Sequence, residues 1–354
     1  MMDRQKIVVF EGDGIGPEIM AAGLDVLAAV TQGTDFTYET EFLPFGGQAI
    51  DQVGEPLPNN TINQAKRADA ILLSAIGGPR WNACPKRPED GLLALRSELG
   101  LFANVRPTVV ADSQIDQSPL KGEIVRGTDF VIVRELTSGA YFGEPRSKTF
   151  DQAIDTMYYS RSEIERVMVY GFDLAQSRRQ HVTIVDKSNV LATSKLWREV
   201  GQAVAQRYPE VTVDYRYVDA TAMAIVADPT QFDVLIIPNL FGDILSDEAA
   251  QITGTIGQIP SLSAGATGPK MYEPIHGSAP DIAGQGIANP ISMIKTVSLM
   301  LSQSFHQDKL AKQIDEAVEL TIRRGQVTPD MGGTLTTKEV TEQVMNAMQE
   351  GVFS

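Results

Sequence analysis

The sequence predicts an α/β protein with much parallel sheet, divided into about two domains. Three observations carry this. Short, mostly β-branched runs at 6–10, 70–73, 181–185 and 234–237 read as buried strands. Between them apolar residues recur at helical spacing, and strands alternating with helices build parallel sheets. The length, 354 residues, exceeds what one ordinary core accommodates.

The first run, KIVVF at 6–10, is followed by Glu11-Gly12-Asp13-Gly14-Ile15-Gly16-Pro17 and a helix with Ile19, Gly23, Val26 and Val30 on one face. The glycines invite a dinucleotide reading. That motif needs G-x-G-x-x-G, whereas here the glycines alternate and Pro17 stands where the helix opens. What remains is a Gly-rich turn at a strand end. Residues 36–43 alternate Phe36, Tyr38, Thr40 and Phe42 against polar neighbours, as a half-exposed strand does; a polar helix near 61–67 precedes the strand at 70–73, which ends in Ile76-Gly77-Gly78-Pro79.

Three arginines then end or interrupt apolar runs: Arg96 in GLLALR, Arg106 in LFANVRP and Arg134 in VIVRE. Singly, such an arginine buries its stem and leaves its head in water. Three of them in an acidic chain suit a carboxylate ligand, which the guanidinium fork matches bidentately. Tyr141 lies in the turn-like TSGAYFGEPR, as a packed aromatic unless Arg and Lys neighbours lower its pKa, and 155–160 alternate as an arm of a hairpin would.

Ser162 and Glu165 read as a capping box opening a helix that turns Ile164, Val167, Met168, Gly171 and Leu174 inward. The strand at 181–185 delivers Lys187 to a strand's C-terminal end, where open α/β sheets bind ligands. It is either a base with a depressed pKa or a solvated lysine. Asp219, after the alternating strand 211–218, reads as an N-cap and also as a third acid at a strand end. The organising stretch is NLFGDILSDE at 239–248, a helix start directly after the 234–237 strand. Asp243 and Asp247 share one face there, a like-charge pair that costs about 0.2–0.5 kcal/mol unless something positive lies between them. A hard divalent cation would serve; acids in a first turn also complement the helix dipole.

A Gly-, Pro- and Ser-rich passage through Ala288-Asn289-Pro290 reads as an elaborate binding loop, and amphipathic helices near 290–305, 309–324 and 337–349 close the chain, the last with the capping box Thr336 to Glu339. The hydrophobic fraction of 43% and charged fraction of 21% are those of a soluble globular protein. A formal charge of -15 opposes nucleic acid and anionic membranes. One cysteine, Cys84, and three scattered histidines argue against a disulfide and a zinc site. The start shows no signal-peptide pattern and no run reaches membrane-spanning length, so a cytoplasmic location is expected. No repeat or marked linker divides the chain.

Four strings, GLLALR with LFANVRP, RELTSGAYFGEPR, NLFGDILSDE and EPIHGSAPDIAGQGIANP, together with GDGIGPE at 12–18, resemble the decarboxylating β-hydroxyacid dehydrogenases of the isocitrate/isopropylmalate dehydrogenase family across nearly the whole chain. The resemblance implies a two-domain α/β isopropylmalate dehydrogenase-like fold with a mixed, largely parallel sheet, not a standard Rossmann fold. In it 1–101 plus 254–354 form the domain on the cofactor side, and 102–253 form the other, with a dimer arm at 145–160. It implies a homodimer with shared sites that uses NAD and Mg²⁺ or Mn²⁺ to decarboxylate a small 2-hydroxy acid oxidatively. Arg96, Arg106 and Arg134 would clamp the malate moiety. Asp243 and Asp247, with Asp219 from the second subunit and also near substrate, would hold the metal. Lys187, likewise from the second subunit, would be the base and Tyr141 the acid. His276, Gly277, Ser278, Ala279, Pro280, Asp281, Ile282 and Asn289 would bind NAD. One departure is Ser138, where the family more often has glycine beside the tyrosine. Glu89, Leu92, Leu93 and Val190 would surround the C3 substituent, which points to 3-isopropylmalate and leucine biosynthesis. Sister enzymes acting on isocitrate, homoisocitrate, tartrate or D-malate, and a catalytically silent subunit of the same fold, are the alternatives.

Overall fold

The protein is described by a computed structural model covering residues 4–254 and 256–350; the reading of the chain's start falls partly on residues 1–3, outside them. In chain order the elements are β1 (Gln5–Phe10), α1 (Gly16–Thr31), β2 (Tyr38–Phe42), α2 (Gly46–Val53), α3 (Asn59–Ala65), β3 (Ala70–Leu73) and α4 (Pro88–Glu98). There follow β4 (Ala103–Val109), α5 (Gly122–Val125), β5 (Asp129–Glu135), β6 (Gly143–Lys148), β7 (Ala153–Thr156), α6 (Arg161–Gln176), β8 (His181–Asp186), α7 (Ala192–Ala205) and β9 (Thr212–Tyr217). The rest are α8 (Val218–Ala227), β10 (Val234–Ile237), α9 (Asn239–Ile252), β11 (Pro260–Ala264), β12 (Lys270–Pro274), α10 (Ile291–Gln303), α11 (Asp308–Arg323) and α12 (Thr337–Gln349). The chain forms two compact units, Met1–Gly100 with Thr255–Ser354, and Leu101–Gly254.

In the first unit the strands run β2-β1-β3-β12-β11, parallel except for the β11/β12 pair. The mainly apolar runs of β1 and β3 suit strands with neighbours on both sides, and Ile7 to Phe10 and Ala70 to Leu73 are fully buried. Helix α1 turns Ile19, Gly23, Val26 and Val30 inward, as its periodicity predicts. Gly23 sets its approach to α10, because a Cβ there would stand 3.0 Å from Met293 Cγ. Strand β2 is the edge, so Phe42 lies largely in solvent instead of on a buried face. The Gly-rich passage read as loop contains β11 and β12, whose pairing against each other overrides their weak local signal.

In the second unit the order is β4-β5-β10-β8-β9, antiparallel only between β4 and β5. Its alternating strands feed two faces. Phe130 and Ile132 join Leu235, Ile237, Ile225, Leu245 and Ile252 beside α8 and α9. On α6 and α7, Ile164, Val167, Met168, Phe172, Trp197 and Val200 are buried. Gly171 lies against Ile236 and Gly201 against Ile184, at distances that a larger side chain would have to force apart. Strands β6 and β7 form an antiparallel hairpin, with Phe150 at its tip fully exposed.

Helix α6 starts two residues before the sequence reading: Ser160, not Ser162, is its N-cap, and Ser160 and Glu163 make the reciprocal bonds. Both Ser-x-x-Glu registers exist in SRSEIE, and the earlier one adds half a turn of helix. Leu174 is only half-buried, its inward place taken by Phe172 and Ala175. The box at Thr336 and Glu339 stands as read. Ser160→Ala should therefore cost about 1 kcal/mol in urea denaturation. Ser162→Ala should stay within about 0.5 kcal/mol of wild type; equal losses for the two would contradict the assigned cap.

Candidate active site

Arg134, next to last in β5, lies opposite Ile237 of β10, and β10 passes through Pro238 straight into α9. The arginine is thereby delivered to the first turn of α9, 5% exposed. Gly242 permits this, since a Cβ there would lie 2.7 Å from Arg134 Cγ. Arg134 Nε donates to both oxygens of Asn239 at 3.1 Å, its NH2 donates to Asn239 Oδ1 at 2.9 Å, and its NH1 pairs with Asp243 Oδ1. The Asn239 amide side chain reaches on to the Ser138 carbonyl at 3.0 Å, and the Tyr159 hydroxyl accepts the Asn239 N–H at 2.9 Å.

Strand β4 places Arg106 beside the same helix. Its NH1 bonds Ser246 Oγ at 2.6 Å and Asp247 Oδ1 at 3.0 Å, its NH2 stands 3.9 Å from Asp243, and its Nε bonds Asn104 at 2.7 Å. Two guanidiniums thus already lie against Asp243 and Asp247. The charge argument from sequence is corrected here: the protein's own arginines offset the like-charge pair, so its existence does not by itself require a metal.

The turn that carries Tyr141 is fixed from beneath. Fully buried Glu135 accepts the Thr137 N–H at 2.7 Å, the Thr137 hydroxyl at 2.6 Å and the Ser138 N–H at 3.0 Å. Burial pushes its carboxyl pKa up against these bonds. Ser138 is extended (φ -139°), so it needs no glycine; the left-handed residue is Gly139 at φ +81°. Tyr141 donates to Asp243 Oδ2 at 2.7 Å, 5.7 Å from ring centroid to the Arg134 guanidinium carbon. Burial, then Asp243, raises its pKa, and Arg134 offsets only part of this. The condition under which the sequence would make this tyrosine an acid, neighbours that lower its pKa, is therefore not met: the net shift is upward.

Lys187, just beyond β8, reaches Asp219 Oδ1 at 2.7 Å. That lysine, by hydrogen bonding first, holds the Asp219 carboxyl below its usual value. Asp219 lies inside the first turn of α8, whose N-cap is Tyr217, so it is not the cap that its position suggested. Beside Lys187, buried Asp186 takes two bonds from Arg198, at 2.7 and 3.1 Å, and the Ser188 N–H at 2.8 Å. Among the described residues of one chain, no three His, Cys, Asp or Glu side chains form a metal-binding group. The donor chemistry at Asp243 and Asp247 nonetheless fits Mg²⁺ or Mn²⁺: both are carboxylates on one helix face, and Asp247 is largely exposed with Oδ2 taking no hydrogen bond from a described residue.

In the first unit Arg96, on α4, pairs with Glu273 of β12 at 2.7 Å, both nearly buried, and its Nε has no hydrogen-bond partner among the described residues. Leu92 and Leu93 on the same helix are half-buried while Leu95 fills the core; Glu89 is exposed. Val190, in the second unit, is 65% exposed. In the loop after β12, the His276 ring has its pKa pushed down by burial, Nδ1 lies 3.0 Å from the Gly277 carbonyl, and buried Nε2 has no hydrogen-bond partner among the described residues. An orphaned ring nitrogen beside exposed Gly277, Pro280 and Asp281 fits a nucleotide cofactor. Ser278 is buried, Ala279 takes a left-handed φ of +37°, and Ile282 closes a turn onto Ala279. Asn289 uses both ends of its amide inside the protein, on Asp330 at 2.9 Å and on the Ile291 N–H at 3.0 Å.

A family model described as isocitrate/isopropylmalate dehydrogenase matches residues 6–344. The chain belongs to that family. It is 54% identical over 346 residues to a 3-isopropylmalate dehydrogenase of Listeria monocytogenes, covering 98% of this chain and 99% of that one. It is 53% identical over 342 residues to a 3-isopropylmalate dehydrogenase of Streptococcus thermophilus, covering 97% and 99%. Among solved structures, isocitrate dehydrogenase from Methylococcus capsulatus superposes with a TM-score of 0.86 at 34% identity, covering 98% of this chain and 99% of that one. The mixed, largely parallel fold read from the sequence is thus the family's.

Sequence reasoning missed Asn239, which bonds Arg134, Glu135, which holds the Thr137–Ser138 turn, and Asp186 with its partner Arg198, next to Lys187 in the chain. Glu135 and Asp186 each adjoin a named residue at a strand end, which was the available signal. Asn239→Ala should cost about 2–3 kcal/mol by removing acceptors from a buried guanidinium, and should raise the KM for an anionic substrate at least about tenfold. Unchanged denaturation midpoint and KM would remove Asn239 from any role in orienting Arg134.

Proposed function

We propose that the protein catalyses the NAD-dependent oxidative decarboxylation of 3-isopropylmalate to 4-methyl-2-oxopentanoate and CO₂ in leucine biosynthesis. The enzyme class follows from the family and from relatives of that name more than half identical over nearly the full length. The substrate rests on Leu92 and Leu93. They are not core, because Leu95 serves that role on α4, and they stand four and three residues before Arg96 on the same helix. Covering the three carbons of an isopropyl group is worth about 2–3 kcal/mol, or about a hundredfold over unsubstituted malate. Isocitrate would bring an unpaired carboxylate toward Glu89.

Arg96, Arg106 and Arg134 would grip the substrate carboxylates, and Asp243 and Asp247, with Asp219 of a second copy, would hold the divalent cation. NAD would supply the acceptor for the C2 hydride, and the cation a Lewis acid for the substrate oxygens. Lys187 of the second copy, whose Nζ lies 2.7 Å from Asp219 Oδ1 of the same chain, takes the C2 hydroxyl proton. After CO₂ leaves C3, the protonated Tyr141 hydroxyl supplies the proton that carbon requires. Exposed Asp281 suits the adenosine ribose diol and disfavours a 2′-phosphate.

A homodimer is supported by helix α8, VDATAMAIVA, which is almost wholly apolar yet buries little of itself: Met223 is 68% exposed, and Ile244 on neighbouring α9 is 60% exposed. No described helix is long and apolar enough to cross a membrane.

The deciding comparison is kcat/KM for 3-isopropylmalate, D-malate and isocitrate with wild type and Leu92→Ala. Wild type should prefer 3-isopropylmalate by about a hundredfold, and Leu92→Ala should shrink that ratio by about tenfold. Equal use of isocitrate or D-malate, or ratios indifferent to the truncation, would move a sister enzyme ahead. For the shared site, mixing inactive Lys187→Ala and Asp243→Asn chains should restore activity, because one heterodimer site carries both lesions and the other neither. Silence after confirmed subunit exchange would refute sharing.

A further inference from the structure

The Gly-rich turn after β1 is not used by the chemistry above, yet it contains a buried anion. Asp13 is 4% exposed and forms no ion pair with a described Lys or Arg. Its Oδ2 accepts the Gly47 N–H at 3.0 Å and the Gly77 N–H at 2.8 Å, and its Oδ1 accepts the Gln48 N–H at 3.1 Å. Gly47 and Gln48 open α2, whose N-cap Phe45 offers no side-chain acceptor, so Asp13 caps that helix from a distant turn. One carboxylate thereby joins the turn after β1, the start of α2 and the loop after β3.

The loop around Ser278 is bolted to the same assembly. Ser278 Oγ donates to the Gly77 carbonyl at 2.8 Å, and the Ser278 carbonyl accepts the Ile15 N–H at 2.8 Å. Gly14, at φ +59°, passes so close that a Cβ would stand 2.0 Å from the Ser278 carbonyl oxygen. Gly77 is therefore held at its N–H by Asp13 and at its carbonyl by Ser278, with left-handed Ala279 next along the loop. No other described contact joins the Asp13 carboxylate to the loop so directly.

We propose that Asp13 is a positioning residue for cofactor binding, setting through Gly77 and Ser278 the conformation in which the 276–282 loop receives NAD; this rests on the assignment of that loop above. Burial raises the Asp13 pKa despite three amide bonds, which marks how far the charge depends on those amides. Asparagine is isosteric but offers one acceptor oxygen and turns an NH₂ toward an amide, leaving a buried N–H unsatisfied.

The experiment is titration calorimetry of NAD⁺ into the full-length enzyme. Asp13→Asn should weaken NAD⁺ binding about tenfold or more and raise its KM to match, while kcat at saturating NAD⁺ stays within about twofold. Val340→Ala, a cavity in α12 away from the loop, should lower Tm without moving NAD⁺ affinity. Wild type offers a second reading that needs no variant to fold: by linkage, NAD⁺ should slow amide exchange at Gly47, Gln48 and Gly77. Unchanged affinity in Asp13→Asn, or unchanged exchange at those amides in wild type, overturns the role of Asp13 and leaves the loop assignment standing. Wild type that binds no NAD⁺ at all overturns both.

Discussion

The second unit is arranged around the need to satisfy one buried guanidinium. Arg134 lies near the end of a central strand, only 5% exposed, and an unpaired cation there would be costly. Asn239, Asp243 and the shallow surface at Gly242 answer that need, and all three belong to the first turns of α9. The same requirement carries outward. Asn239 holds the Ser138 carbonyl, Ser138 and Thr137 hang from Glu135, and the turn they form presents Tyr141 to Asp243. A cation placed in an apolar sheet thus dictates where six polar groups must stand.

What the sequence disclosed divides by range. Patterns with a period of two or 3.6 are local, so 6–10, 70–73 and 234–237 and the inward face of α1 were readable residue by residue. The capping box of α6 failed by two residues because SRSEIE offers two registers, and local chemistry alone does not choose between them. Strands β11 and β12 hid in glycine- and proline-rich sequence, since their order comes from partners and not from propensity. Among site residues, Arg106, Arg134, Tyr141, Asp243 and Asp247 gather at one place. Asn239 and Asp13 stayed invisible because their partners lie far along the chain, 105 positions for Asn239 and up to 64 for Asp13. A polar residue whose meaning depends on such a separation looks like any turn or cap in one dimension.

The two electrostatic arguments drawn from sequence fared differently. That clustered arginines seek carboxylates was sound physics, but in the structure they find the protein's own: Glu273 for Arg96, Asp247 for Arg106, Asp243 for Arg134. That two aspartates one turn apart gain from a counter-charge was equally sound, and Arg106 and Arg134 supply it. Each inference was blind to the possibility that the two groups were answers to each other.

The sheet of the first unit has a consequence in time. Strand β3 pairs with β12 in a register that sets Leu72 beside Tyr272. At roughly 5–20 residues per second of synthesis, the 200 intervening residues take roughly 10–40 s to appear. During that interval the apolar AILL of β3 is without its eventual neighbour, whereas every strand of the second unit's sheet is drawn from one unbroken stretch and can find its partners as it emerges. The part of the chain made first is therefore the part completed last, and the nascent protein carries an open, sticky sheet edge through most of its own production.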